Sequence, residues 1–224
     1  MKPAIITTAD GSHTLKSSLI NDTYHSSHGA ITESQVVYIE YGLNKAFESF
    51  SETIILLEVG FGTGLNALLT AIEAEKQKRN VYYIAIESEP INVELACSLN
   101  YPKITNYPLA EVFFNKIHNC EWGKPIAINN FMKIIKIRTK LQEIDFGKTK
   151  FNLIYYDAFG PDNQPEMWLP EIFEDISKNT VQGGIFTTYS TKGDVKRALK
   201  TYGFKINKLA GPPGKREVLR AIKI

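Results

Sequence analysis

A strand, a glycine-rich turn and a helix that follow one another directly place the tightest constraint on the fold. Residues 54–59 form an almost unbroken apolar run, typical of a strand buried on both faces of a parallel sheet. Gly60, Gly62 and Gly64 follow, and glycines let the backbone turn sharply and approach a ligand closely. Apolar residues then recur at helical spacing over 65–72. This order predicts the first strand–helix unit of an α/β sheet.

The rest of the chain continues the alternation of strands and helices. Further strands are predicted at 81–87, 131–138, 151–159, 183–189, 204–210 and 217–224, and helices at 33–50, from Pro90 onward, 107–120, 165–179 and 193–203. The link between the last two strands is too short for a crossover, so they form an antiparallel hairpin. The predicted fold class is therefore α/β, with a doubly wound, mostly parallel sheet and a C-terminal antiparallel hairpin.

The N-terminal residues differ from the rest in character. Residues 1–30 are polar and show little periodicity, so we expect an N-terminal arm or cover over a single domain, 31–224. The N-terminus lacks the apolar core of a signal peptide, and no stretch approaches 18 apolar residues, so no membrane association is expected. Cys97 and Cys120 suffice for neither a disulfide framework nor a four-ligand zinc site. We therefore expect a cytoplasmic protein without a metal.

Charge is distributed unevenly along a chain whose formal net charge is only +2. Residues 115–150 and 192–224 are basic, and the segment between them, 151–191, is acidic. This pattern favours a phosphate-rich partner that docks beside a less basic active site. Ordinary solvated lysines on helix faces would produce the same pattern, so charge alone leaves the choice open.

The glycine turn is flanked by two acids. Its spacing, G-x-G-x-G, lacks the third glycine of a dinucleotide fingerprint and the Gly-Lys-Ser/Thr of a P-loop. It resembles motif I of class I S-adenosylmethionine-dependent methyltransferases, which implies that Glu58 orients the amino-acid end of that cofactor. Glu87 closes the next strand, where an ionised carboxylate accepts hydrogen bonds from both ribose hydroxyls. The alternative is a structural turn with two unrelated acids.

A third acid, Asp157, ends another predicted buried strand. Ligands of such sheets lie beyond the carboxyl ends of the strands, so Asp157 would meet the glycine turn at one edge. A carboxylate there can hold an amine nucleophile and accept its proton. The segment from Asp157 to Pro161 resembles the D/N-P-P-Y/F motif of amino-group methyltransferases, and Phe159 could stack on a base. The alternative is an Asp that caps a loop.

Together these segments make the chain similar to the MnmC-type methyltransferase family. The similarity begins near residue 19 and is carried by residues 22–34, 61–66, 87–90, 157–168 and 214–217. It implies N-methylation of 5-aminomethyl-(2-thio)uridine at the tRNA wobble position, giving 5-methylaminomethyl-(2-thio)uridine. No FAD-dependent oxidase segment follows residue 224, so we expect the stand-alone, MnmD-like form. Such a form would be coupled to a separate oxidase or aminomethyl-forming enzyme.

The resemblance assigns roles to individual residues. The expected cofactor contacts are Glu58, Gly60, Gly62, Thr63, Gly64, Asn66 and Glu87. Asp157 is the expected catalytic residue, and the expected substrate contacts are Phe159, Tyr24, Glu33, Lys215 and Arg216. Lys215 and Arg216 are hypothesised to bind phosphates of the anticodon arm, because they lie in the most basic segment. His25 and His28 are expected to be structural or to face solvent.

One feature departs from the class I pattern, and other functions stay open. An acid after the third strand often binds the adenine amino group, but residues 137–141 contain none. The alternatives are an aminopropyltransferase of the spermidine synthase type, a small-amine methyltransferase, and a non-catalytic RNA-binding module with this fold. The intact glycines argue against the last of these, and 30 polar N-terminal residues are too few for the N-terminal domain of an aminopropyltransferase.

Overall fold

Two β-sheets occur in the part of the chain that the structure, a computed structural model, describes: residues 3–18, 20 and 22–224. Met1, Lys2, Leu19 and Asn21, all within the predicted arm, lie outside the described residues. The strands are β1 (Ala4–Thr7), β2 (His13–Lys16), β3 (Ile54–Val59), β4 (Val81–Glu87), β5 (Ile126–Ala127), β6 (Met132–Arg138), β7 (Phe151–Tyr156), β8 (Thr180–Thr188), β9 (Phe204–Ala210) and β10 (Glu217–Lys223).

The larger sheet has eight strands in the order β5-β6-β4-β3-β7-β8-β10-β9. The five central strands, from β6 to β8, are parallel, whereas β10 runs antiparallel to both β8 and β9. The predicted mostly parallel sheet with a C-terminal hairpin is thereby confirmed. Since β3 lies between β4 and β7, the carboxyl ends of these three strands form one edge.

Helices cover both faces of this sheet. They are α1 (Ala30–Ser34), α2 (Lys45–Ser49), α3 (Leu65–Gln77), α4 (Val93–Cys97), α5 (Tyr101–Ile104), α6 (Ala110–Asn119), α7 (Pro170–Lys178) and α8 (Gly193–Thr201), with short 3-10 turns at Leu141–Glu143 and Pro165–Trp168. A ten-residue π-helical segment, Gln35–Asn44, joins α1 to α2. Side chains alternate along β3, so Leu56 packs under one helical layer and Leu57 under the other.

The N-terminal residues are more ordered than the sequence predicts. The strands β1 and β2 pair as an antiparallel hairpin, and Leu15 is completely buried in the core. Asp10 closes the turn by accepting hydrogen bonds from the Ser12 and Thr32 amides at 3.0 and 2.9 Å. Burial raises the pKa of Asp10, but the hydrogen bonds outweigh it and lower the pKa to about 2. Hydrophobic periodicity misses this hairpin because polar side chains organise it.

Two predicted helix boundaries are wrong, each because of a proline. The helix expected over 165–179 is interrupted at Leu169, which is extended at ψ 145° because Pro170 follows it. Pro90 lies ahead of the next helix, which begins at Val93. The Asn92 side chain caps that helix by accepting a hydrogen bond from the Leu95 amide at 2.7 Å.

The π-helical segment lies very close to the sheet at Gly42. A Cβ built at Gly42 would be 3.0 Å from Cε1 of Tyr155 on β7 and 3.3 Å from Oγ1 of Thr187 on β8. This approach brings the segment against the two strands, and Tyr38, one turn earlier, packs its ring 5.1 Å from that of Tyr155.

We predict that Gly42→Val lowers the free energy of unfolding by about 1–3 kcal/mol, because the added methyl groups overpack this contact. Urea unfolding at neutral pH measures the change. Glu40→Val is the matched control, since Glu40 is exposed on the same segment. Equal effects of the two substitutions would contradict the tight packing at Gly42.

Candidate active site at the carboxyl ends of the central strands

A cavity of about 950 Å³ opens at the carboxyl ends of β3, β4 and β7. It brings together residues that are far apart in the sequence. The predicted site residues that line it are Tyr24, Glu33, Gly60, Gly62, Thr63, Asn66, Glu87, Asp157, Phe159 and Lys215. Glu58 and Gly64 lie behind its wall, and Arg216 is exposed outside it.

The three glycines of the turn adopt backbone conformations that other residues rarely take. Their φ angles are +86°, +50° and +72° at Gly60, Gly62 and Gly64. A Cβ at Gly60 would lie 2.7 Å from the carbonyl oxygen of Asp157, so the turn and the β7 loop touch through their backbones. A Cβ at Gly64 would lie 2.7 Å from Nε2 of His118. The turn is thus packed on both sides, and only glycine fits.

Thr63 anchors the turn through both its side chain and its backbone. Its Oγ1 is 2.7 Å from Nε2 of His25 and accepts a hydrogen bond from the Tyr101 hydroxyl at 3.3 Å. Nε2 of His118 lies 3.1 Å from the Thr63 carbonyl oxygen. Burial lowers the pKa of both histidines to about 4, so they are neutral at pH 7. His25 is thus structural, whereas the ring of His28 is exposed.

Glu87, at the end of β4, orients the turn and faces the cavity. Its Oε2 accepts a hydrogen bond from the Gly62 amide at 3.0 Å, and its Oε1 accepts one from the Glu89 amide at 2.9 Å. Each carboxylate oxygen retains a lone pair, because an ionised carboxylate has about four acceptor positions. The carboxylate is therefore fixed in place with acceptor capacity left for a ligand.

One amide bridges two buried acids beneath the cavity. Nδ2 of Asn66, at the start of α3, donates to Glu58 Oε1 at 3.0 Å and to Asp157 Oδ2 at 2.8 Å. Burial raises the pKa of Glu58 well above its ordinary value, and the Asn66 hydrogen bond opposes this. Glu58 Oε2, Asn66 Oδ1 and the Tyr83 hydroxyl are buried and have no well-formed hydrogen bond among the described residues. The Tyr83 hydroxyl is close enough to Glu58 to lower the pKa of that acid, so it is an internal donor for Glu58.

Asp157 is held from two sides. The Tyr38 hydroxyl donates to its Oδ1 at 2.6 Å, and Asn66 donates to its Oδ2. Burial and the nearby charge of Glu33 raise the pKa of Asp157 to about 7, although the two hydrogen bonds and Lys215 oppose the shift. A pKa raised toward neutrality suits a group that exchanges a proton.

Aromatic side chains form the wall beside Asp157. The rings of Tyr24 and Phe159 meet edge to face at a centroid distance of 5.1 Å. Tyr24 also packs on the glycine turn, where a Cβ at Gly62 would come within 3.1 Å of its ring. The Trp168 indole donates to the Phe159 carbonyl at 2.8 Å and so fixes the loop after β7. This arrangement can enclose a flat, partly apolar group.

Lys215 is part of the site wall and is not a free surface cation. Its ammonium group is bound to Oε1 of Glu33, a buried acid on α1, and lies 4.1 Å from the centroid of the Tyr189 ring. Glu33 also accepts a hydrogen bond from the Ser26 amide at 2.9 Å. The C-terminal hairpin loop is thereby tied to the N-terminal segment over the cavity.

The sequence analysis missed two residues of the site, Tyr38 and Tyr189. Tyr38 belongs to a helix that looks like ordinary core packing, and only the approach of that helix to the sheet brings its hydroxyl to Asp157. Tyr189 follows β8, and its hydroxyl donates to the Ala158 carbonyl at 2.8 Å. No sequence signal distinguishes these two from the other nine tyrosines of the chain.

Residues 139–143 line the far end of the cavity. They form the loop after β6, in which the sequence analysis found no acid up to residue 141. Glu143, two positions further on, lies within the 3-10 turn and is 4.0 Å from the ammonium group of Lys140.

In the described part of the chain, no group of three or more His, Cys, Asp and Glu side chains is arranged to hold a metal ion. None of the helices there has the length and apolar character needed to span a bilayer.

The two buried histidines predict a pH dependence of stability. Their folded-state pKa of about 4 lies below the unfolded value near 6.5, so the unfolded state binds more protons in this window and stability falls as pH falls. The free energy of unfolding of the wild type should fall between pH 7 and pH 5. We predict that this fall is smaller in His25→Gln by on the order of 2 kcal/mol. Urea titrations at the two pH values measure it. His28→Gln is the control, and an unchanged loss in His25→Gln would contradict the burial of a neutral imidazole.

Sequence relatives extend over most of the chain. The bifunctional protein MnmC of Burkholderia thailandensis, named for tRNA 5-methylaminomethyl-2-thiouridine biosynthesis, is 28% identical over 221 residues, covering 92% of this chain and 33% of its own length. The protein of the same name from Idiomarina loihiensis is 29% identical over 220 residues, covering 91% of this chain and 36% of its own length. The chain thus spans about a third of the length of the curated relatives it matches.

Two solved structures resemble this chain in fold, and a family profile matches part of its sequence. The crystal structure of MNMC2 from Aquifex aeolicus matches 98% of this chain and 70% of its own, with a TM-score of 0.76 and 27% identity. Magnesium protoporphyrin IX methyltransferase from Synechocystis shares the fold, with a TM-score of 0.54 and 10% identity. The match covers 87% of this chain and 81% of that protein's chain. The profile of a family described as S-adenosyl-L-methionine-dependent methyltransferase matches residues 101–224. These matches confirm the predicted fold class and the resemblance to MnmC-type proteins, and the chain belongs to the family of S-adenosyl-L-methionine-dependent methyltransferases.

Proposed function

We propose that this enzyme transfers a methyl group from S-adenosyl-L-methionine to the exocyclic amine of 5-aminomethyl-(2-thio)uridine at the tRNA wobble position. The product would be 5-methylaminomethyl-(2-thio)uridine. The observation that carries the proposal is the placement of Asp157 beside the glycine turn, with a pKa of about 7 and an aromatic wall next to it. The names of the MnmC relatives point to the same modified uridine.

The residues of the cavity fit the cofactor of the family. Asn66 lines the cavity, and its buried amide oxygen, which has no partner, complements an ammonium donor such as the amino-acid end of S-adenosyl-L-methionine. Glu58 lies behind the wall and holds the Asn66 amide in place. Glu87 offers acceptors for ribose hydroxyls, and Gly60, Gly62 and Thr63 let the backbone lie against the ligand. When bound, this cofactor supplies a methyl group already activated on a sulfonium.

The chain itself then has to place the amine and remove a proton. A primary amine is largely protonated near pH 7 and has no free lone pair in that form. The ionised carboxylate of Asp157 accepts one proton from the ammonium, and the freed lone pair of the nitrogen forms the new nitrogen–carbon bond. With the cofactor bound, its sulfur would keep the electron pair of the broken carbon–sulfur bond, and the product would leave as a secondary ammonium. Catalysis is thus mainly positioning combined with proton acceptance.

The wall residues would select the acceptor. Tyr24 and Phe159 form a wall against which a flat base can pack, and aromatic stacking of an extruded base is a common mode of RNA recognition. Lys215 and Glu33 line the same cavity and supply a donor and an acceptor for the polar edge of the base. Residues 17, 20 and 22–28 of the predicted cover also line the cavity, so we propose that 1–30 covers the site of domain 31–224.

The wider context follows from the proposed substrate. Arg216 is exposed next to the mouth of the cavity, where it can meet a phosphate of the anticodon arm. A tRNA substrate would place the enzyme in the cytoplasm. Its 5-aminomethyl group would come from a separate oxidase or another aminomethyl-forming enzyme.

The deciding experiment is methyl transfer from labelled S-adenosyl-L-methionine to bulk tRNA from a strain that lacks this gene, followed by mass spectrometry of the nucleosides. A gain of one methyl group on 5-aminomethyl-(2-thio)uridine is expected. Putrescine with decarboxylated S-adenosyl-L-methionine is tested in parallel for the aminopropyltransferase alternative. Cofactor binding without tRNA methylation would reject the proposed acceptor, and absence of cofactor binding would leave a binding module.

Asp157→Asn is predicted to retain cofactor affinity within about threefold while kcat falls by roughly 10²–10⁴, the range for loss of a general base. The amide preserves the volume of the side chain but cannot accept the proton. Calorimetry and single-turnover methylation measure the two quantities. An unchanged kcat would remove Asp157 from the chemistry.

Arg216→Ala is predicted to reduce the slope of log affinity for tRNA against log salt by about one, because one phosphate contact is lost. Lys205→Ala is the control, since Lys205 is equally exposed but lies at the opposite end of the hairpin from the cavity. Binding titrations at several salt concentrations measure the slopes. Equal changes in both variants would argue for diffuse attraction and against a contact at Arg216.

A further inference from the structure

The carboxylate of Asp157 is positioned by a residue that lies outside every motif. The Tyr38 hydroxyl is 2.6 Å from its Oδ1, and Tyr38 is 1% exposed. A phenol buried in this way has no solvent to bond with. Its next hydrogen-bond contact is the Tyr156 carbonyl at 3.5 Å, at the long limit for a bond. The Tyr38 hydroxyl therefore has Asp157 as its main hydrogen-bond partner.

The position of Tyr38 follows from the packing of its own segment. The π-helical residues Gln35–Asn44 lie against β7 and β8, and the missing side chain of Gly42 permits that approach. The Tyr38 ring packs 5.1 Å from that of Tyr155 and cannot swing away from the sheet. π-Helical turns are rare and occur frequently at functional sites.

We propose that Tyr38 is a positioning residue for methyl transfer: its hydroxyl holds Oδ1 of Asp157 so that the free lone pairs of the carboxylate point toward the amine in the cavity. This inference rests on the proposed function. Asn66 holds Oδ2 in the same way from α3, the helix that packs beside the π-helical segment. With both oxygens held, the carboxylate cannot rotate, and a fixed acceptor is what proton removal requires.

Tyr38 also favours the ionised form of Asp157. A hydrogen bond donated to a carboxylate stabilises its charge and lowers its pKa, whereas burial and the charge of Glu33 raise the pKa of Asp157. The other titratable or charged groups that face Asp157 come from the surrounding elements: Glu33 on α1, Glu58 on β3, Tyr83 on β4, Tyr189 after β8 and Lys215 in the hairpin loop. Since Tyr38→Phe leaves all of them in place, only the contribution of the hydroxyl changes.

The test compares Tyr38→Phe with Tyr155→Phe. Tyr155 is equally buried and its ring adjoins Tyr38, but its hydroxyl lies near Thr70 and not near Asp157. The first readout is the pKa of the Asp157 carboxyl, from carbon-13 NMR of the cofactor-free protein, assigned with Asp157→Asn. We expect a rise of about one unit in Tyr38→Phe, in line with the loss of one charge-assisted hydrogen bond, and no change in Tyr155→Phe.

The second readout is the pH profile of kcat/KM for tRNA. Its acidic limb should move to higher pH by the same amount in Tyr38→Phe, so that activity falls about fivefold at pH 7 and recovers toward wild type near pH 9. Cofactor affinity should be unchanged. If Tyr38→Phe does not fold, 3-fluorotyrosine at position 38 provides the opposite change, because its more acidic hydroxyl is a stronger donor and moves both readouts to lower pH.

The outcomes separate this inference from the proposed function. An unchanged carboxyl pKa in Tyr38→Phe, or an equal shift in Tyr155→Phe, would overturn the role of Tyr38. A shifted carboxyl pKa with an unshifted activity profile would overturn it as well, since Asp157 would then not limit the reaction. If wild type binds the cofactor but does not methylate tRNA, the proposed acceptor is wrong, and the assignment of Tyr38 to this reaction falls with it even where the NMR shift is present.

Discussion

The centre of the site depends on one side-chain amide, that of Asn66, which donates hydrogen bonds to two buried carboxylates. Glu58 lies one residue before the end of β3, Asp157 follows the neighbouring strand β7, and Asn66 satisfies one oxygen of each acid in the buried interior. Asn66 can serve both because it is the second residue of α3, whose position is set by the glycine turn. The same bridge leaves the oxygen of Asn66 without a partner where Asn66 lines the cavity, whereas Glu58 lies behind the wall.

Around this centre, the fold is arranged to bring backbone segments very close together. Gly60 touches the carbonyl of Asp157 and Gly64 touches His118, so the glycine turn is fixed from the side of β7 and from α6. Neutral His25 adds a third support through Thr63, from the N-terminal segment. Such a turn does not need to reorganise when a ligand binds, and a preorganised site loses less entropy on binding.

The basic C-terminal segment serves two different purposes. Lys215 is drawn inward by Glu33 and by the ring of Tyr189, where it joins the wall of the cavity and offsets part of the negative charge near Asp157. Arg216, one residue further, faces solvent. Adjacent cations in the sequence are therefore separated into a site residue and a surface residue, because the hairpin loop turns between the cavity and the outside of the sheet.

The sequence by itself determined the order of strands and helices, the glycine turn, and the acids Glu58, Glu87 and Asp157 at the ends of their strands. These follow from local rules, since hydrophobic periodicity and glycine conformation act over a few residues. Only the tertiary structure decided that polar residues 4–16 form a hairpin, that Lys215 pairs with Glu33 across 182 positions, and that Tyr38 reaches Asp157 across 119. These contacts depend on the close packing of segments that are distant in the sequence. The residues next to a hydroxyl or an ammonium group in the sequence do not indicate which distant side chain it will contact.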